Sequence, residues 1–183
     1  MTTSKDKLLI LDLDETLVFA SEQPLARESA FRAGPYHVYK RPHVDTFLAT
    51  CLDWFEVAVW TSSSPSYAAI VVKELFPQPQ NLSFVWAADR CTRTHDTERF
   101  EHHWRKNLKK VRRKGYRLES VIVVDDSPEK WEQSYGNLVR VRPFLSDQND
   151  EEMLPLLVYL NWLRAAENVR GIEKRRWRSQ AMP

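Results

Sequence analysis

The sequence has little of what marks secreted, membrane-spanning or repeat proteins. Its 183 residues include two cysteines, Cys51 and Cys91, which do not share the CxxC spacing of metal and redox motifs. No stretch approaches the ~20 apolar residues that cross a bilayer, and residues 1–6 lack the apolar core of a signal peptide. Internal repeats, low-complexity segments and linkers are also missing. We therefore expect reduced thiols and a cytoplasmic protein, or a nuclear one if the organism is eukaryotic.

Length and charge predict one compact unit with two basic groups. A chain of 183 residues can bury about 70% of its unfolded surface in one domain, so we expect a monomer with a single domain over 1–183. Its core would span about 7–167 and a basic tail 168–183. The run 102–117 holds eight Lys and Arg and no acid. Such groups attract phosphorylated or acidic partners, although a solvated helix face and a frayed tail explain them equally well. The second group comprises Arg170, Lys174, Arg175, Arg176 and Arg178.

Apolar runs of strand length alternate with segments of helical spacing. The strand candidates are residues 8–11, 55–60 and 121–124, and the helix candidates are 44–52, 67–76, 102–113 and 150–166. Residues 18–35 show no clear period and are predicted to form a loop or short hairpin. This alternation predicts an α/β fold with a parallel sheet and helices on both faces.

Each strong strand ends in a polar cluster. In a parallel sheet these carboxyl ends meet at one edge, where α/β proteins place their sites. Like charges 4 Å apart repel by roughly 4 kcal/mol at an effective dielectric of 20, so four carboxylates at one edge require a cation. Oxygen ligands favour Mg²⁺. The alternative is that the first two acids merely begin a loop. The clusters are Asp12 with Asp14, Thr61 with Ser62, and Asp125 with Asp126.

A carboxylate held beside a cation can also act as a nucleophile toward phosphorus. Hydrolysis of phosphate monoesters needs up to ~10²¹-fold acceleration. A site for this reaction combines an in-line nucleophile, charge neutralisation and proton transfer. The polar clusters supply candidates for each of these functions.

The motifs around these clusters resemble a known superfamily. In order, they are Asp12-Leu13-Asp14-Glu15-Thr16-Leu17-Val18, Val59-Trp60-Thr61-Ser62, a downstream Lys, and Val124-Asp125-Asp126-Ser127-Pro128. They resemble the haloacid-dehalogenase (HAD) phosphotransferases. Together with Lys40-Arg41-Pro42-His43-Val44, they are similar to the RNA polymerase II carboxy-terminal-domain phosphatases and their NLI-interacting-factor-like relatives. Val141-Arg142-Pro143-Phe144 resembles the ubiquitin-like-domain proteasome phosphatases.

This resemblance runs from about residue 7 to residue 177 and implies a single Rossmann-like HAD domain. About 45 residues separate Thr16 from Thr61 and Thr61 from Lys106, and the core elements use most of that length. We therefore expect no large cap domain over the site. An open site suits a phosphate carried by a large partner better than a small metabolite.

The resemblance also implies roles for the acids. Asp12 would attack phosphorus and form an aspartyl-phosphate, while Asp14 would protonate the leaving oxygen and then deprotonate a water. Mg²⁺ would be held by Asp12, the backbone carbonyl of Asp14, and Asp126, with Asp125 bound directly or through water. Small members of the family have Asn where this chain has Asp126, so the division between the last two acids stays open.

The remaining site residues would bind the phosphoryl group. Thr61 would donate a hydrogen bond to a phosphoryl oxygen, with Ser62 beside it as a second phosphate-binding candidate. Lys106, which opens a Lys-Asn-Leu sequence typical of the family, is the predicted catalytic lysine. Lys109 and Lys110 are the competing candidates.

Three functions follow from this pattern. The first is a Mg²⁺-dependent phosphoserine/phosphothreonine protein phosphatase, although residues 88–100 depart from the family's substrate-binding insert and leave the proline-rich heptad substrate in doubt. The second is a phosphatase for DNA or RNA ends, because the basic run 102–117 suits a phosphate backbone. The third is a non-catalytic scaffold, which predicts damaged acids, whereas Asp12 and Asp14 are intact.

Overall fold

The computed structural model describes residues 5–96 and 101–180. Strands in these ranges are β1 (Leu8–Leu11), β2 (Val18–Ser21), β3 (Phe31–Ala33), β4 (Tyr36–Lys40), β5 (Glu56–Trp60), β6 (Val85–Trp86), β7 (Thr92–Asp96), β8 (Glu101–Arg105), β9 (Val121–Asp125) and β10 (Leu138–Arg140). The α-helices are α1 (Val44–Trp54), α2 (Pro65–Leu75), α3 (Lys109–Arg113), α4 (Met153–Leu163) and α5 (Trp177–Gln180). Among the described residues, no helix combines the length and the hydropathy that crossing a membrane requires.

A five-stranded parallel sheet forms the centre, in the order β10-β9-β1-β5-β6. The strand β1 lies between β9 and β5, with Leu11 level with Val124 on one side and with Val59 on the other. The carboxyl ends of the three apolar runs therefore meet at one edge. The predicted α/β fold is confirmed.

Alternation along the strands divides the core into two layers. Leu9 and Leu11 of β1 pack into the larger cluster, which includes buried residues of α1, α2 and α4. Leu8 and Ile10 face the opposite cluster, which contains Trp60 and Trp131. Both faces of the sheet are thus covered, which explains why its strands are continuously apolar.

Two small antiparallel sheets are inserted where the sequence predicted other structure. Residues 18–35, predicted as a loop or short hairpin, contain β2 and β3, which pair with β4 in a three-stranded sheet. The predicted helix over 102–113 is wrong. Its first part is strand β8, which pairs with β7, and only Lys109–Arg113 is helical. The pairing partner lies earlier in the chain, so local pattern does not reveal it. Residues 97–100, the end of the segment 88–100, lie outside the described residues.

The segment after α4 packs on the domain. Val169 and Trp177 are fully buried and belong to the larger core cluster. Lys174 is also buried, and its Nζ donates hydrogen bonds to the carbonyls of Gly136, Val169 and Ile172. Burial lowers the pKa of Lys174 to about 8. The residues predicted as a basic tail therefore contribute both apolar and charged groups to the packing.

An ion pair joins the buried Arg41, which directly follows β4, to Asp150, which precedes α4. The Nε and Nη2 atoms of Arg41 each donate to one carboxylate oxygen of Asp150 at 2.7 Å. Nη1 of the same arginine donates to the carbonyl of Thr16 at 3.0 Å. Arg41 is 1% exposed, so removing its acid leaves a desolvated cation.

We expect Asp150→Asn to lower the free energy of unfolding by about 3 kcal/mol at pH 7, because breaking a buried pair strands one charge. Asp45→Asn is the matched control, since its pair with Lys40 is exposed and such pairs contribute about 0.2–1 kcal/mol. Urea denaturation measures both variants. Equal losses in the two would contradict the assigned role of Arg41.

The same pair predicts a pH dependence. Burial opposes the charge of Asp150, but the hydrogen bonds and the charge of Arg41 outweigh burial and lower the pKa of Asp150. An acid with a lowered pKa in the folded state stabilises the fold above its unfolded pKa, near ~4. That contribution is lost as pH falls through the folded pKa. The difference in the free energy of unfolding between wild type and Asp150→Asn should therefore have its full size at pH 7 and become smaller below pH ~4.

Candidate active site

Two buried acids stand side by side at the carboxyl ends of adjacent strands. Asp12 directly follows β1 and continues the face of Leu8 and Ile10, while Asp125 ends β9 on the face of Val123. Both side chains therefore point to the same layer of the protein. They are 2% and 0% exposed, so their charges require a partner within that layer.

That partner is Lys106. Its Nζ lies 3.0 Å from Oδ1 of Asp12 and 2.6 Å from Oδ2 of Asp125. Trp131 donates from its indole Nε1 to the same Oδ2 of Asp125 at 2.7 Å. Burial disfavours the ammonium, but the two carboxylates outweigh burial and raise the pKa of Lys106. Of the three candidate lysines, the structure thus brings Lys106 into the carboxylate cluster.

The competing lysines lie elsewhere, and an unpredicted lysine takes a place in the cluster. Lys109 is exposed, and Lys110 donates to the carbonyl of Arg90. Lys130 has its Nζ 3.5 Å from Oδ2 of Asp12. The signal that sequence reasoning missed is that Lys130 follows the Asp-Asp-Ser-Pro motif closely, within the kinked series of 3-10 turns Pro128–Asn137.

Electrostatics keep Asp12 ionised. Burial alone would raise its pKa, but the charges of Lys106 and Lys130 outweigh burial and lower the pKa of Asp12. The pKa of Asp125 is raised, first by burial and then by repulsion from Asp12. Of these two acids, Asp125 therefore binds a proton more tightly than Asp12, and Asp12 remains a carboxylate.

The side chain of Asp14 is bound by two residues around the start of α2: Ser63, which precedes the helix, and Tyr67, which lies in it. Ser63 donates from Oγ to Oδ2 of Asp14 at 2.6 Å, and Tyr67 donates from its hydroxyl to Oδ1 at 2.5 Å. Burial raises the pKa of Asp14, with both hydrogen bonds opposing the shift. Ser63 and Tyr67 were missed in the sequence, where their closeness to Thr61 was the available signal.

The phosphate-binding candidates follow β5. Thr61 is buried; its backbone N–H donates to Trp86 and its Oγ1 accepts from the backbone N–H of Ser63 at 3.1 Å. Ser62 is partly exposed beside it. Through Ser63, the loop that carries Thr61 is connected to Asp14. The cluster after β5 therefore meets the cluster after β1, as the sheet edge predicts.

Three carboxylates could hold a divalent ion. Asp12, Asp125 and Asp126 each offer an oxygen, and these oxygens lie within 4.8 Å of one another. Oδ1 of Asp12 is buried and accepts no hydrogen bond of good geometry from the described residues, although the ammonium of Lys106 is close. Thr16 donates to Oδ1 of Asp126 at 3.1 Å and orients it. Oxygens from three neighbouring carboxylates fit a hard cation such as Mg²⁺.

Comparison with known proteins assigns this site to a family. The model of the NLI interacting factor-like phosphatase family matches residues 7–170. The chain belongs to this family. The predicted resemblance is confirmed, and the three polar clusters lie in a phosphatase of the HAD fold.

Relatives of this phosphatase share most of its length. It is 29% identical over 186 residues to CTD nuclear envelope phosphatase 1B of Danio rerio, covering 93% of this chain and 72% of the relative. It is 28% identical over 198 residues to the CTD nuclear envelope phosphatase 1 homolog of Caenorhabditis elegans, covering 100% and 76%. Fcp1, an RNA polymerase II CTD phosphatase, has the same fold with a TM-score of 0.68 and 17% identity; the match covers 88% of this chain and 63% of Fcp1's.

An open cavity of about 430 Å³ in this phosphatase borders Asp14. Phe19 of β2, Tyr36 of β4 and Tyr67 of α2 contribute aromatic walls. Tyr36 packs edge-on against Tyr67, with ring centroids 5.7 Å apart. The inserted three-stranded sheet thus supplies one wall of a space that leads to the site.

We expect Tyr67→Phe to lower kcat about tenfold, because a hydrogen bond to a charged group contributes about 1.5–3 kcal/mol and its loss frees Asp14 to rotate. Tyr36→Phe is the control, since it retains the ring contact and leaves Asp14's hydrogen bonds in place. Steady-state hydrolysis of an aryl phosphate measures both. Unequal effects on kcat support the assignment; similar effects would assign Tyr67 to packing alone.

Proposed function

We propose that the protein is a Mg²⁺-dependent phosphoserine/phosphothreonine protein phosphatase that forms an aspartyl-phosphate on Asp12. The observation that carries the proposal is the pairing of an ionised, buried Asp12 with Lys106 and Lys130 at an open sheet edge. Two ammonium groups beside one carboxylate neutralise charge where a phosphoryl group would arrive.

Asp12 and Asp14, the two acids after β1, lie in different environments. The environment of Asp12 suits a nucleophile, and that of Asp14 suits a group that carries a proton. Lysine charges lower the pKa of Asp12, whereas burial raises that of Asp14. Such divergence is typical of acid and nucleophile assignments in enzymes. We therefore assign nucleophilic attack to Asp12. Protonation of the leaving oxygen, followed by deprotonation of water, belongs to Asp14.

Asp12, Asp126 and the backbone carbonyl of Asp14 would hold Mg²⁺. The bound ion would neutralise charge on the phosphoryl oxygens. Both oxygens of Asp125 already accept hydrogen bonds, from Lys106 and Trp131 on one side and from the backbone of Ser127 on the other. This supports Asp125 as the acid that positions Lys106 and contacts the ion through water.

Thr61 and Lys106 complete the proposed phosphate site. The hydroxyl of Thr61 accepts from Ser63 and keeps its own proton to donate to a phosphoryl oxygen. Lys106 provides a charge that is fixed by its two carboxylates. Ser62, partly exposed next to Thr61, is the secondary contact.

The protein substrate and the location are supported by the relatives. Several are named CTD nuclear envelope phosphatases, and the described residues place no large cap over the sheet edge. We therefore propose a phosphoprotein substrate and a location at the nucleus rather than the cytoplasm expected from the sequence. Microscopy of the tagged full chain tests the location, and a purely cytoplasmic signal contradicts it.

Nucleic acid remains the second candidate partner, but the basic run 102–117 is divided in the structure. Lys106 is buried in the carboxylate cluster, and Arg105 pairs with Glu132 at 2.8 Å. The exposed charges that remain include Lys109 and Arg112 of α3. A terminally phosphorylated oligonucleotide is therefore included as a competing substrate.

Phosphate release from three substrates tests the proposal: an aryl phosphate, phosphoserine peptides and terminally phosphorylated oligonucleotides, each with Mg²⁺ and with EDTA. We expect Mg²⁺-dependent release, with peptides preferred. Preference for oligonucleotides, falling as salt rises, would establish the nucleic-acid alternative. No release from any substrate by folded protein would favour a non-catalytic scaffold.

A further inference from the structure

A second cavity, of about 710 Å³, lies on the β10 side of the sheet. It is bordered by the end of β10, the Val141-Arg142-Pro143 segment and the turn before α5. Its lining is strongly basic, with Glu173 as the one acid among the described lining residues. The basic members are Arg140, Arg142, Arg170, Lys174, Arg175 and Arg178.

Some of these charges are used by the fold and others are free. Lys174 is bound by three backbone carbonyls, and Arg178 forms an ion pair with Glu152. Arg142 and Arg170 are exposed, and within the described ranges neither side chain has an acid at ion-pair distance, although the charge of Arg142 contributes to the lowered pKa of Asp150. The cavity therefore presents at least two guanidinium groups that can bind an incoming anion.

The cavity reaches the edge of the sheet that carries the carboxylates through one of its lining residues, Arg140. Arg140, at its edge, lies level with Asp125 in the β9–β10 register, and its Nε donates to the carbonyl of Asp126 at 3.3 Å. Asp12 follows β1, the strand on the other side of β9. Neighbouring strands are ~4.8 Å apart, so the row from Arg140 to Asp12 spans about 10 Å. An extended peptide covers this distance with about three residues.

We propose that this cavity binds a second phosphate of the substrate polypeptide, about three to six residues from the phosphoserine or phosphothreonine that is hydrolysed. The proposal rests on the proposed function and adds a substrate class, namely multiply phosphorylated protein segments. Guanidinium groups suit this ligand because their planar donors match phosphate oxygens in pairs. The lower bound of this separation follows from the strand spacing between Arg140 and Asp12. The upper bound allows for Arg170, whose backbone packs beside Gly136, before β10 and farther from Asp12 than Arg140.

Binding to an Asp12→Asn protein, which retains the cavity, tests the proposal. Fluorescence anisotropy would compare a singly phosphorylated peptide with three doubly phosphorylated ones, whose phosphates lie one, four and twelve residues apart. We expect the four-residue spacing to bind about tenfold more tightly than the single phosphate, as charge-assisted hydrogen bonds predict. Equal affinities, or an advantage independent of spacing, would overturn the proposal.

Arg142→Ala/Arg170→Ala in the same background should remove this advantage. The matched control is Arg112→Ala/Arg113→Ala, which removes the same charge from exposed positions on α3. If both double variants lose the advantage equally, the effect is general attraction and the site is refuted. A loss of oligonucleotide binding alone in Arg142→Ala/Arg170→Ala would likewise reject a phosphopeptide site.

Turnover by protein with Asp12 intact separates this site from the proposed function. We expect kcat/KM for the four-residue spacing to exceed that for the single phosphate about tenfold, and Arg142→Ala/Arg170→Ala to remove only this excess. Hydrolysis of all peptides with equal efficiency would refute the site and leave the phosphatase. Spacing-dependent binding without any turnover would refute the phosphatase and leave the site.

Discussion

We expect Asp12→Asn to release phosphate from an aryl phosphate at least ~10³-fold more slowly than wild type, even with saturating Mg²⁺. The amide keeps the size of the side chain but cannot form the acyl phosphate, and loss of a covalent nucleophile removes a whole reaction path. Asp12 lies beside Lys106 and Lys130, whose charges lower its pKa and keep it ionised. Initial rates of phosphate release provide the measurement.

Asp45→Asn is a suitable control for this variant. It makes the same chemical change on the surface of α1, where Asp45 contacts Lys40, and should retain wild-type rates. Near-ultraviolet circular dichroism verifies that Asp12→Asn is folded. A folded Asp12→Asn protein with more than about a tenth of the wild-type rate would transfer the nucleophilic role to another residue.

The parts of this site that the sequence predicted depend on local pattern. Residues 8–11 and 121–124 are continuous apolar runs, and the sheet pairs them in parallel and in register. The residue that follows each run must then lie at the same edge. That rule brings Asp12 and Asp125 to one edge of the sheet. That they are direct neighbours follows from the pairing of β1 with β9, which the local pattern does not give.

The parts that could not be predicted depend on contacts between distant segments or on local backbone turns. Regular alternation would place Asp14 on the face of Asp12, but β1 ends at Leu11 and the chain turns at Glu15, which has φ of 58°. Asp14 consequently meets Tyr67, 53 residues later. A left-handed turn at a glutamate has no strong sequence signal.

The basic run illustrates the same limit. Its composition suits a solvated helix, yet its first residues pair with Thr92–Asp96 as a strand and one lysine enters the core. Burial of Lys106 is favourable only because the carboxylates of Asp12 and Asp125 lie at ion-pair distance from its ammonium group. The position of the lysine is thus decided by two acids outside the basic run, one of them near the start of the sequence, and counting charges along the run does not reveal this.

Lys106→Met should show how much the fold depends on this lysine. Asp12 and Asp125 would remain buried and close together without their shared cation, and stranding buried charge costs about 3–5 kcal/mol. We expect the free energy of unfolding in EDTA to fall by about 3 kcal/mol, and kcat to fall at least ~10²-fold because phosphoryl charge loses a fixed partner. Urea denaturation and aryl phosphate hydrolysis measure the two losses.

Lys109→Met is the matched control for Lys106→Met, because it removes the same group three residues along the chain from an exposed position. We expect its stability and kcat to stay close to wild type. Adding Mg²⁺ should restore part of the stability of Lys106→Met, since an ion bound to Asp12 and Asp126 would supply the missing positive charge. It should not restore kcat, because the bound ion would not replace the ammonium that is proposed to contact the phosphoryl group. Equal behaviour of the two lysine variants would instead return Lys109 to consideration as the catalytic lysine.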